Sequence, residues 1–79
     1  VIIRFDLIET TKVMITLHDV HARQIAVLLQ ANLEPESYRL KWRGSITQNS
    51  LANPGIYIVE LNTSYGSSFH KIVWLPNNR

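Results

Sequence analysis

The chain has 79 residues, 46% hydrophobic and 18% charged, with no cysteine, a formal charge of +2 and a pI near 9.3. That length fits one domain, of a size that buries only about 60% of the surface its unfolded chain exposes. The composition is too apolar for a disordered tail and has no apolar run of the ~18 residues that span a bilayer; without cysteine, disulfide frameworks and thiolate zinc sites are excluded while the compartment stays open.

Ile3, Phe5 and Leu7 alternate with Arg4 and Asp6, which puts the apolar three on one face of a first strand. After the polar turn Glu9 to Lys12, a second strand carries Val13, Ile15 and Leu17 in the same period and runs to Asp19-Val20. A short connection, His21 to Arg23, leads into Gln24 to Leu29, an apolar run that fits either a buried strand or a short helix; strand neighbours on both sides favour the strand. A loop around Pro35 follows, and then Tyr38, Leu40 and Trp42 alternate with Arg39 and Lys41. Residues 43 to 53 read as a long polar loop with Leu51 as its one anchor to the core.

Asn53-Pro54-Gly55 is turn chemistry that releases into Ile56 to Leu61, the most β-prone run in the chain. Polar residues 62 to 68, with Gly66 for a special backbone angle, separate it from a last β-rich run, Phe69 to Leu75, so residues 55 to 75 form a predicted hairpin. Pro76 to Arg79 is a polar ending. Six short strands, spaced by about ten residues with turn signals between them, predict an all-β domain, and the longer loops favour a sandwich over a barrel. Residue 1 already lies in a β-like run with no start methionine and no visible signal peptide, so residues 1–79 read as a single domain cut from a longer protein.

The residues carry little chemistry of their own. Asp6, Glu9, Asp19, Glu34, Glu36 and Glu60 fall in different strands and loops, and there is no nucleophile motif and no phosphate-cradling glycine pattern, so no enzyme is expected. His18, His21 and His70 fit no metal-ligand spacing, and neither a metal nor a cofactor is predicted. The basic residues are scattered singly without interleaved aromatics, which argues against nucleic acid. An aromatic platform for polysaccharide rests mainly on Trp74 and Tyr65 lying on an outer face, with Tyr38, Trp42 and Tyr57 assigned to the core by their alternation. Lys71, on the terminal strand, is by itself an edge charge that discourages aggregation.

Several segments line up in order with a known pattern: the Ile3-x-Phe5-x-Leu7 strand, Asp19-Val20 followed by Arg23, Trp42-x-Gly44, Pro54-Gly55-Ile56-Tyr57, and Lys71-x-Val73. Together they resemble the type A C-terminal sorting domain of proteins exported by the type IX secretion system of Bacteroidota, itself similar to the Ig-like domain of flagellar hook-capping proteins. The resemblance covers nearly the whole chain. It implies an Ig-like β-sandwich of about seven short antiparallel strands at the end of a larger secreted protein, without catalysis, carried through the periplasm to the cell surface or medium. Its partners would be the outer-membrane translocon and a sortase-like peptidase, with no membrane insertion. The signal residues of that family map to Gly55, Tyr57, Lys71 and Val73. Three positions depart from the pattern: Ala22 stands for a turn glycine, Arg43 for an aspartate, and residues 48 to 50 for a loop glycine. Alanine takes a left-handed angle only at a cost, so the turn at Ala22 is expected to differ in shape. The alternative reading is an accessory carbohydrate-binding or structural Ig-like module of a secreted polysaccharide-degrading enzyme.

Overall fold

The computed structural model of the chain describes residues 1–47 and 50–75. Eight strands are present among them: β1 (Ile2–Asp6), β2 (Thr11–His18), β3 (Gln24–Leu33), β4 (Ser37–Lys41), β5 (Ser45–Thr47), β6 (Ser50–Leu51), β7 (Gly55–Thr63) and β8 (Gly66–Trp74). The polar tail from Pro76 and the Gln48-Asn49 part of the third departure lie outside the described residues.

All pairings are antiparallel. One sheet has the order β3-β2-β7-β8, and a second layer is the pair β1-β4. In immunoglobulin lettering this is C′-C-F-G over B-E, so the fold is an antiparallel β-sandwich of Ig-type strand order. Against six strands read from the sequence and about seven implied by the resemblance, residues 43 to 53 add two, β5 and β6, which pair with each other antiparallel where a long loop was expected.

The core lies between the layers. Val13, Ile15, Leu17 and Val59 are almost completely buried, with Phe5, Trp42, Ala52 and Tyr57 around them. Alternation along β2 and β7 delivers Val13, Ile15, Leu17, Tyr57 and Val59 to one face. Leu51 is 68% exposed, so it is not the anchor of the 43 to 53 segment; Ala52 fills that role, at 5% exposure and with its N–H donating to the Gly44 carbonyl at 2.7 Å.

β3 explains why its sequence was ambiguous between strand and helix. Its pairing with β2 slips at two points, opposite Ile15/Thr16 and Leu17/His18. At each slip two consecutive apolar residues, Leu28-Leu29 and Ile25-Ala26, turn the same way and are half-buried. A β-bulge breaks the period of two in this manner, and the bulged strand no longer looks alternating.

The β2-β3 turn takes the shape that a glycine would give it. Ala22 has φ 66°, the one non-glycine residue with positive φ among the described residues. Its N–H donates to the Asp19 carbonyl at 3.0 Å, and the Asp19 N–H donates to the Arg23 carbonyl at 3.0 Å. The Asp19 carboxylate accepts from the N–H groups of His21 (2.8 Å) and Arg23 (3.0 Å) and from the Arg23 Nε at 2.9 Å. The expected change of turn shape at Ala22 is therefore not found: Asp19 holds the turn in a left-handed form that alanine occupies at a cost of about 1 kcal/mol. These bonds, led by the one from the Arg23 backbone, hold the Asp19 carboxyl below its ordinary value of 3.8.

At the start of β7 a second local device fixes the fold. The Tyr57 hydroxyl donates to the carbonyl of Asn53, four residues upstream, at 2.6 Å, and the ring is 8% exposed. A buried tyrosine bonded back to the corner before strand F is a recurring feature of Ig-type sandwiches, and here it coincides with the strand that the topology assigns as F.

Candidate functional site

The residues implicated by resemblance all fall on the β7-β8 hairpin, but they do not share one face. Gly55 opens β7 at φ 156°, at the edge of the region that L residues avoid, with nothing within 4 Å of where a Cβ would sit. Any constraint there is on the backbone and not on space. Tyr57 points into the core, with its ring edge-on to Trp42 at 6.1 Å between centroids. Lys71 and Val73 face the other way. They pair with Ile58 and Ile56, which alternate with the inward Tyr57 and Val59.

The outer face of the hairpin is accordingly apolar. Ile56 (46% exposed), Phe69 (63%) and Val73 (53%) lie on it together with half-buried Ile58, and Lys71 sits among them. At its upper end Val20, Ile58 and Phe69 border a shallow depression of about 310 Å³ beside the β2-β3 turn. Contiguous exposed apolar residues of this kind mark interaction surfaces on soluble domains. β8 is also an edge strand, since β7 is its one partner among the described residues, so the Lys71 strand presents one unpaired backbone side.

His18 Nε2 lies 2.8 Å from Thr16 Oγ1 and 3.3 Å from Glu60 Oε1, both on the same outer face of the sheet. No group of three histidine, aspartate or glutamate side chains comes together in a metal-binding arrangement among the described residues. His21 lies in the β2-β3 turn and His70 on β8, opposite Val59. No helix is long and apolar enough to cross a membrane among the described residues.

The end of β8 is latched to the β5-β6 segment by its last aromatic residue. The Trp74 ring lies 5.2 Å from that of Trp42, and its Nε1 donates to the Ala52 carbonyl at 3.2 Å. Gly44, at φ 91°, gives the ring its seat: a Cβ there would collide with Trp74 Cζ2. Trp42 closes the arrangement through its Nε1, which donates to the Ser45 carbonyl at 3.0 Å. Trp74 is therefore half-buried and packed inward against the loop, not displayed on an outer face. Tyr65 is exposed as expected, at 68%.

Sequence reasoning missed the apolar outer face, although a signal for it exists. β7 is apolar on both faces at its start, where Ile56 and Ile58 interleave with Tyr57 and Val59. A strand with water on one side carries polar residues there, so a doubly apolar strand announces either a cover or a contact surface. No protein-family model, no curated protein and no solved structure matches this chain.

Proposed function

We propose that this domain is a non-catalytic C-terminal sorting domain, carried on a larger cargo through the periplasm and recognised as a folded surface by the type IX outer-membrane translocon, with removal by a sortase-like peptidase at the cell surface. The observation that supports the reading best is the exposed apolar face of β7-β8, in which Lys71 and Val73 stand together on an edge strand. A receptor could cover Ile56, Phe69 and Val73 and use Lys71 as its charged reference point, while the free edge of β8 offers backbone pairing. In this reading Gly55 and Tyr57 act from behind the surface, holding β7 so that its outer residues are presented in register.

The test is to append residues 1–79 to a reporter exported to the periplasm of a bacterium with a type IX system. The expected result is reporter on the surface or in the medium, and retention in the periplasm when the translocon is deleted. Periplasmic retention of the folded fusion in the intact strain contradicts the proposal.

A further inference from the structure

At the opposite end of the hairpin from Trp74, two turns are tied together across the sandwich. The Tyr65 hydroxyl donates to Glu9 Oε1 at 2.6 Å, and the Ser64 N–H donates to the Thr11 hydroxyl at 3.0 Å, contacts that span 56 and 53 residues of chain. The Tyr65 N–H is in turn held by Thr63 Oγ1 at 3.0 Å. An exposed tyrosine fixed at its hydroxyl and close to its Cα is a rigid ring with little rotamer freedom left to lose. Beside it runs an open groove of about 450 Å³ with Leu7 and Leu61 among its apolar lining, and with Glu9, Ser67 and Ser68 supplying polar groups.

We infer that this groove is a binding site for a neutral oligosaccharide, with the Tyr65 ring as the platform for a sugar face and Glu9 with the serine hydroxyls as its hydrogen-bond partners. The chemistry follows from the lining. A pyranose presents an apolar C–H face, which an aromatic ring covers, and an equatorial rim of hydroxyls, which carboxylate and hydroxyl groups satisfy. A carboxylate accepts up to about four hydrogen bonds, so Glu9 retains capacity while it holds Tyr65. Asp6 joins Glu9 along the groove and no lysine or arginine lines it, which disfavours uronic and sulfated sugars. The volume matches a small ligand site of roughly 300–1,000 Å³. This site is separate from the outer face proposed for export and does not rest on that reading.

The experiment is native electrophoresis of the folded domain through gels cast with xylan, mixed-linkage β-glucan, galactomannan or, as the anionic control, alginate. At least one neutral gel is expected to retard the protein, and Tyr65→Ala to weaken that binding roughly tenfold or more. Tyr65→Phe keeps the ring and is expected to keep most of the retardation. Should Tyr65→Ala fail to fold in a melting curve, Ser68→Trp fills the groove from an exposed position and is expected to abolish retardation. Free migration of the wild-type domain in every neutral gel, retardation by alginate alone, or unchanged retardation of the folded variants overturns the inference.

Discussion

Replacing Gly44 with alanine tests the latch that fastens the end of β8. Gly44 has φ 91°, where an L side chain costs about 1–2 kcal/mol, offset by about 0.5 kcal/mol because alanine restricts the unfolded chain. The new Cβ also meets the Trp74 ring, which must leave its seat. Leaving forfeits the contact with Trp42 at 5.2 Å, worth about 0.5–1.5 kcal/mol, and the hydrogen bond to Ala52 at 3.2 Å, worth about 1 kcal/mol. The net expectation is a loss of about 2–4 kcal/mol from a domain whose size suggests a total of about 4–12 kcal/mol. In a thermal melt this is a fall of about 8–30 °C. The decisive assay is a double-mutant cycle. In a Trp74→Ala background only the backbone cost remains, so Gly44→Ala is expected to cost about 1 kcal/mol there, giving a coupling of about 2 kcal/mol. Equal costs in both backgrounds refute the latch.

Other outcomes follow from the turns and corners. Ala22→Gly relieves a left-handed alanine and is expected to raise stability by about 0.5 kcal/mol in urea titration, because the strain removed, about 1 kcal/mol, exceeds the added freedom of the unfolded chain. Tyr57→Phe removes the donor to the Asn53 carbonyl and is expected to cost about 1 kcal/mol in the same assay without changing the fold. Asp19 is held below 3.8, so its contribution is fully present above that value and is lost as pH falls through its lower folded value; the difference in melting temperature between wild type and Asp19→Asn is expected to shrink below about pH 4. The bond to Glu9 pushes the Tyr65 phenol above its ordinary 10.0, so that tie stabilises below pH 10 and is lost as the phenol ionises; Glu9→Ala is expected to return the Tyr65 titration, followed by NMR, toward the ordinary value.

Much of the fold was legible because burial on one side imposes a period of two. β1, β2 and β4 carry that period clearly, and their inward residues Phe5, Val13, Ile15 and Leu17 join Tyr57 and Val59 of the doubly apolar β7 in the core. β3 was harder to read because its two bulges place neighbours on the same face. The 43 to 53 segment was misread because local polarity hides what holds it. Ala52 is small, Gly44 has no side chain, and their partner Trp74 comes from the last strand, so no local pattern connects them. Ala22 shows the limit of conformational preference, since five hydrogen bonds around Asp19 and Arg23 outweigh a penalty of about 1 kcal/mol. Within the candidate site, the hairpin was legible from its turn residues and β-prone runs, but the separation of Tyr57 from Lys71 and Val73 needed the pairing of β7 with β8. The exposed apolar set Ile56, Phe69 and Val73 needed the cross-strand register, which pairs Ile56 with Val73 and Ile58 with Lys71.

The central claim is that the outer face of β7-β8 is an address read in its folded form. It is tested most directly by comparing reporter export for the wild-type domain with that for Lys71→Glu combined with Val73→Ser, both verified as folded by circular dichroism and melting. The account predicts that the wild-type fusion reaches the cell surface or medium and that the folded double variant accumulates in the periplasm. Equal export of the two folded fusions, or retention of both, contradicts it.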